Sequence, residues 1–192
     1  MDKLAHGKSY TALIILGKIA IYNKNVKILI ADYKNSFKQF HGLPNFYGYE
    51  NAIKGIEIFN EELKRRIADN GNQNEPYPIW YLFVDELSSL IKSRTTKKEQ
   101  EDILKMISNI LRLGRELNMR IIVGVQKALM EYMGGERENF KNTIYLGRIS
   151  KEQRNMLFDD FKEKITITNF KQGERLYFTL WRRVAESKSY EN

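Results

Sequence analysis

The chain has 192 residues, a formal net charge of +8, two histidines and no cysteine. That length suits one domain with a substantial core, and the missing cysteines exclude disulfides, thiol catalysis and zinc–cysteine sites. No apolar run approaches the ~20 residues that cross a bilayer, no signal-peptide pattern follows Met1, and the basic balance points to acidic partners, nucleic acid first.

Tyr10 to Tyr22 is apolar nearly all round, which predicts a buried helix, and Asn23-Lys24-Asn25 breaks it. Val26 to Ala31 is short and β-branched, predicting a buried strand. Asp32 to Pro44 reads as a loop. Asn51 to Ala68 carries Ile53, Ile56, Phe59, Leu63 and Ile67 on one stripe and reads as a helix. Asp69 to Pro78, rich in Asn, Gly and Pro, is a surface connection, and Ile79 to Val84 is a second strand. After a charged loop from Lys92 to Lys98, Thr96 and Glu99 have capping-box spacing. They open a helix to about Leu117 that turns Ile103, Ile107, Ile110, Leu111, Gly114 and Leu117 inward. Arg120 to Gln126 is a third strand and Thr143 to Leu146 a short fourth; Ser150 opens a further helix. Ile165 to Thr168 and Leu176 to Trp181 close the chain as a terminal hairpin or edge. Strands alternating with helices imply a mainly parallel sheet with helices on both faces, in a single domain over residues 1–192. Such sheets place ligands at the carboxyl ends of strands. Asp32, Asp85-Glu86 and Gln126 each follow one strand.

His6-Gly7-Lys8-Ser9-Tyr10-Thr11 precedes the first helical run. Gly-Lys-Ser at a helix start is the second half of a phosphate-binding loop. Lys8 would reach the β- and γ-phosphates of ATP and Ser9 would supply a hydroxyl to Mg2+. The amides from Gly7 through Tyr10 would face phosphate oxygens at the positive end of the helix. The plainer reading is that Gly-Lys-Ser merely starts a helix. Ile79-Trp80-Tyr81-Leu82-Phe83-Val84-Asp85-Glu86 is an apolar strand ending in two carboxylates. A carboxylate there is desolvated unless it meets a cation or donors, so Asp85 is the magnesium-orienting candidate and Glu86 the catalytic base. The alternative is that both cap the turn at Leu87-Ser88-Ser89. Gln126 ends the strand Ile121 to Val125, where a neutral amide can either sense the γ-phosphate and the attacking water or make a strand-end hydrogen bond to a neighbouring loop. Asp32-Tyr33-Lys34 either braces the phosphate loop or makes a surface ion pair. Arg112, Arg115, Arg148 and Arg154 are candidates for a finger supplied to a neighbouring subunit. Lys92, Arg94, Lys97 and Lys98 form a basic loop that suits DNA phosphate or plain solvent.

Read together, Gly7-Lys8-Ser9, Asp32-Tyr33-Lys34, Val84-Asp85-Glu86-Leu87 and Leu113-Gly114-Arg115 leading to Ile121-Ile122-Val123-Gly124-Val125-Gln126 resemble the motor domain of the FtsK/SpoIIIE group. That group lies within the FtsK-HerA ATPases. The likeness extends to the short TcpA-like coupling proteins of Gram-positive conjugative elements and runs from Gly7 to about Tyr177, with Val125 and Lys127 as departures. It implies a RecA-like P-loop NTPase fold, ATP hydrolysis with Mg2+, homo-hexameric rings and DNA threaded through the pore. It also implies no small-molecule substrate besides the nucleotide, and a motor in the cytoplasm, held at the inner face of the membrane through transfer machinery and segments lying elsewhere.

A full phosphate loop reads Gly-x-x-x-x-Gly-Lys-Ser, and its first glycine would fall at Asp2. The strand that feeds the loop has no room before Met1. The expectation is therefore an N-terminally truncated motor that lacks its first strand, binds nucleotide weakly and turns over little. A non-catalytic nucleic-acid-binding or assembly module with a degenerate loop is the alternative. A small-molecule kinase fits less well, because no substrate lid is recognisable.

Overall fold

The computed structural model of the chain describes residues 3–69, 75–126, 139–140, 142–146, 150–157, 175–179 and 183–187. The chain divides into two compact units, residues 12–127 and the remainder.

Residues 12–127 are built on one sheet. Its strands are β1 (Lys27–Asp32), β2 (Phe46–Gly48), β3 (Trp80–Asp85) and β4 (Met119–Gly124). They lie in the order β2-β1-β3-β4, and every pairing is parallel. The apolar runs of β1 and β3 explain their central place, since a parallel strand must be covered on both faces. Leu29, Ala31, Leu82 and Val84 are buried on one face, Ile30 and Phe83 on the other. Helix α1 (Lys3–Tyr22) brings Ala12 and Leu16 against Ile30, Phe37 and Phe83. Phe37 and Phe83 meet edge to face with ring centres 5.3 Å apart. Helices α2 (Ala52–Asp69) and α4 (Lys97–Leu113) pack on each other and on the strands from the opposite side. The expected α/β fold with helices on both faces is the fold observed.

Several boundaries differ from the sequence reading. Helix α1 begins at Lys3, well before Tyr10. Lys3-Leu4-Ala5 are all good helix formers and nothing β-branched interrupts them. The outer face of α1 stays open, with Tyr10, Ile21 and Tyr22 exposed, so this helix is half-buried where full burial was expected. Strand β2 and helix α3 (Leu87–Lys92) are too short to carry a periodic signal. On α2 the buried stripe holds Ile56, Phe59 and Leu63 as expected, but Ile67 is exposed and Arg66 is fully buried instead. Arg66 succeeds there because its Nε and Nη1 donors are met, although Nη2 is buried without a hydrogen-bond acceptor among the described residues. Its Nε donates to Glu62 Oε1 at 2.7 Å, and its Nη1 donates to the carbonyls of Pro78 and Leu117 at 3.0 and 2.6 Å. The guanidinium also lies 4.9 Å from the Tyr77 ring centre and 5.3 Å from that of Trp80.

Helix α4 starts with the expected capping box. Thr96 N–H donates to Glu99 Oε2 at 2.9 Å and Glu99 N–H donates to Thr96 Oγ1 at 3.2 Å. The helix stops at Leu113, and Gly114 leads into a single 3-10 turn, Arg115–Leu117. A Cβ on Gly114 would lie 2.5 Å from the Ile110 carbonyl oxygen and 2.7 Å from that of Met119. Glycine is required where the chain turns from α4 into β4.

The other unit contains an antiparallel sheet of β5 (Asn142–Leu146), β6 (Arg175–Thr179) and β7 (Arg183–Ser187), with β6 central. Strand β6 matches the strand expected at Leu176 to Trp181, but its hairpin partner β7 was not expected. Helix α5 (Lys151–Leu157) opens with a second capping box: Gln153 N–H donates to Ser150 Oγ at 3.2 Å and Ser150 N–H to Gln153 Oε1 at 3.1 Å. The strand expected at Ile165 to Thr168 lies outside the described residues.

Two stability outcomes follow. Gly114→Ala is expected to cost about 1–3 kcal/mol, because the clash is with backbone oxygens that cannot rotate away; urea unfolding checks this. The Thr96 amide, followed by its hydroxyl, holds the Glu99 carboxyl below the ordinary glutamate range. The folded form therefore favours the carboxylate. The contribution of the box is complete above the unfolded pKa and disappears as pH falls through the folded one. The difference in melting temperature between the wild type and Glu99→Gln is expected to shrink as pH drops below about 4.

Candidate functional site

Strands β1 and β3 are each six residues long and each ends in aspartate. They lie in register from Lys27 opposite Trp80 to Asp32 opposite Asp85. Side chains alternate along a strand, so both aspartates fall on the face shared with Ile30 and Phe83. Neighbouring strands are about 4.8 Å apart, which brings two carboxylates side by side. Asp32 is 0 % exposed and Asp85 1 %. Asp32 Oδ2 accepts the Phe37 N–H at 2.7 Å. Asp32 Oδ1 is buried with no hydrogen-bond donor among the described residues.

Glu86 follows at a tight turn. Its backbone is left-handed, with φ +59° and ψ +54°, a conformation that costs a non-glycine residue about 1–3 kcal/mol. The surroundings enforce it. Glu86 N–H donates to the Gly124 carbonyl on β4 at 2.8 Å, and the Glu86 carbonyl accepts from Ser89 and Leu90 to start α3. The carboxylate is 2 % exposed. Its Oε1 accepts the Ser88 hydroxyl and the Gln126 backbone N–H, both at 3.0 Å. Its Oε2 lies 3.5 Å from Lys34 Nζ. Glu86 occupies the N-cap position of α3, yet its side chain caps no helical amide. It is aimed across the strand tips instead.

The tips of β1, β3 and β4 thus bring together Asp32, Lys34, Asp85, Glu86 and Gln126. Gln126 takes part through its main-chain N–H; its residue is otherwise exposed. Lys34 reaches a buried glutamate, which is neither of the two roles its sequence position suggested. Ser88 and Lys34 were missed as partners of Glu86. The signal available was the matched endings Leu-Ile-Ala-Asp and Leu-Phe-Val-Asp of two strands of equal length, which align the residues that follow them.

Gly7, Lys8, Ser9 and Tyr10 lie inside α1, four to seven residues past its start. In a regular helix such amides are bonded to the carbonyls four residues back. The loop-then-helix arrangement expected for a phosphate cradle is therefore not the conformation of this segment. Lys8 and Ser9 are half-buried and Tyr10 is 67 % exposed. A Cβ on Gly7 would make an ordinary contact of 4.0 Å with Leu146 Cδ1.

Among the basic candidates, Arg94 is tied to Glu50 and to the Ser93 hydroxyl. Arg115 is exposed and 3.9 Å from Glu116. Arg148 and the side chain of Arg154 lie outside the described residues, as does Lys127.

No family model matches the chain. A curated relative, the ESX secretion system protein EccC of Geobacillus thermodenitrificans, is 26% identical over a 129-residue alignment covering 53% of this chain and 8% of the relative. Among solved structures the chain is similar to the pCW3 conjugation coupling protein TcpA, in its monomer form with ATPγS. There the TM-score is 0.61 and the identity 15%, over 85% of this chain and 51% of that one. It is also similar to the cytoplasmic domain of the type VII secretion ATPase EccC of Thermomonospora curvata (TM-score 0.58, 16% identity, 86% of this chain and 21% of that one). A third likeness is to ATPases 2 and 3 of EssC from Geobacillus thermodenitrificans, with a TM-score of 0.56 and 16% identity over 81% of this chain and 32% of that one. The chain shares the α/β fold of these ATPase domains. The chain spans about half or less of each of these relatives.

The ATPases that share this fold imply a divalent cation, and the donor set here fits one. Two hard, buried carboxylates stand side by side, and one buried oxygen of Asp32 has no donor among the described residues. Among the described residues no three acidic or histidine side chains form a ready metal cage. That suits magnesium, which keeps waters and takes substrate phosphates as ligands. Asp32→Asn retains an oxygen for the Phe37 N–H and removes one of two adjacent charges. In buffer free of divalent cations it is expected to gain about 1 kcal/mol, or roughly 3 °C for a chain of this size; differential scanning calorimetry with and without magnesium checks this.

Proposed function

We propose that this chain is the motor module of an ATP-dependent DNA translocase of FtsK/SpoIIIE type, serving conjugative transfer of a plasmid or element. The observation that carries the reading is the buried pair Asp85-Glu86 at a strand tip, with Glu86 tied to the neighbouring strand tip through the Gln126 amide. A buried glutamate fixed by two donors, beside a second acidic residue, is the equipment of water activation.

In this reading Asp85 and the Ser9 hydroxyl hold the magnesium, and Lys8 meets the β- and γ-phosphates. When bound, the ion neutralises charge that develops on the phosphoryl group. Glu86 takes the proton of the attacking water, and the Gln126 side chain meets the γ-phosphate. Because the amides of Gly7, Lys8 and Ser9 are engaged within α1, intrinsic nucleotide affinity is expected to be weak. Assembly into homo-hexamers around DNA, on the cytoplasmic side of a membrane-bound transfer machine, belongs to the same proposal. The net charge of +8 favours DNA as cargo. The likeness to EccC and EssC favours a second reading, in which the cargo is a secreted polypeptide.

Steady-state ATP hydrolysis with and without duplex DNA tests the proposal. DNA is expected to stimulate turnover several-fold, and Glu86→Gln to lower it by about 10²-fold or more. Stimulation by polypeptide but not by DNA would move the assignment to secretion. DNA binding with no turnover in the wild type would leave only a non-catalytic binding module.

A further inference from the structure

Lys34 stands two residues beyond the end of β1, in a turn with little freedom. Asn35 N–H donates to the Asp32 carbonyl at 3.2 Å, and Asn35 itself is left-handed at φ +55°. The Asn35 side chain donates to the Tyr49 hydroxyl at 2.7 Å and meets the His41 ring, while the Asp32 carboxylate holds the Phe37 amide. The backbone on both sides of Lys34 is thus pinned, and the lysine stem leaves a fixed base.

At the other end, Glu86 Oε1 is held by two donors from rigid places, the first turn of α3 and the end of β4. Those bonds fix one oxygen. The plane of the carboxylate then depends on what holds Oε2, and Lys34 Nζ lies 3.5 Å from that oxygen. The lysine side chain is 37 % exposed and the glutamate 2 %. A cation with access to solvent therefore steadies a buried anion.

We propose that Lys34 is a positioning residue for Glu86, setting the direction in which the carboxylate meets the attacking water. The proposal rests on the reading of Glu86 as general base. It assigns a task to the end of β1, which supplies no part of a phosphate loop or of the carboxylate pair at Asp85-Glu86. Lysine suits the task because a single ammonium on a long stem reaches one oxygen and leaves the other to the fixed donors.

The test uses the full chain and four variants: Lys34→Ala, Lys34→Arg, Glu86→Gln, and Lys34→Ala with Glu86→Gln. Lys34→Ala is expected to lower kcat for ATP about tenfold with KM changed less than about twofold. Lys34→Arg is expected to recover most of that loss, since charge and reach are kept. The double variant is expected to be no slower than Glu86→Gln alone. A kcat for Lys34→Ala that stays level or rises overturns the proposal, as do losses that multiply in the double variant. If the wild type does not hydrolyse ATP, the motor reading fails on its own account. The melting temperatures of the wild type, Lys34→Ala, Glu86→Gln and the double variant then read the pair apart from catalysis: additive shifts overturn the proposal, and non-additive shifts sustain the holding of the Glu86 carboxylate by Lys34 without its catalytic purpose.

Discussion

The register of β1 against β3 is the constraint on which the candidate site depends. Each strand is a run of large apolar side chains closed by an aspartate, and neither run tolerates a slip. Moving β1 by a single residue would turn Leu29 and Ala31 away from the face they share with Leu82 and Val84, reversing the burial of every side chain on that strand. Hydrophobic burial therefore fixes the pairing, and the pairing delivers Asp32 beside Asp85. The core determines where the two aspartates must meet, and Asp32 in turn anchors the Phe37 amide at the edge of that core.

Glu86 shows how the cost of such an arrangement is met. The residue is buried, charged and left-handed, three features that each disfavour folding. Its amide is engaged by β4, its carbonyl by α3, and its carboxylate by Ser88, Gln126 and Lys34. Those partners come from the ends of two neighbouring strands and from one helix. The carboxylate is thus held by the sheet as a whole, and its direction is preorganised.

Much of this was legible in the residues, because burial leaves periodic traces. The strands at Lys27, Trp80 and Met119 were readable as apolar runs, α4 as a stripe of isoleucines, and its start as a capping box. Asp85 and Glu86 stood out because carboxylates ending such a run need an explanation. Strand β2 is three residues long and α3 six, too short for any period to show. Arg66 defeated the hydrophobic pattern because a polarity scale cannot foresee two waiting carbonyls and two aromatic rings. The Lys34–Glu86 pair was hidden for a different reason. Its partners are far apart in the chain, and only the strand register makes them neighbours. At the N-terminus, Gly-Lys-Ser was recognisable as a motif, but the helical preference of the residues before it sets the local conformation.

Arg66 also bears on how this sheet assembles. Its hydrogen-bond acceptors lie 12 and 51 positions along the chain, just before β3 and β4. Until both segments arrive, a guanidinium in the growing core has no reason to give up water. Contacts between such distant positions close late in a parallel sheet. The step at which this side chain dries is therefore expected to fall after the folding barrier, so that weakening it hastens the loss of the native state far more than it delays its formation. The end of the sheet opposite the strand tips that carry Asp32, Asp85 and Glu86 would then act as a kinetic lock on the whole unit.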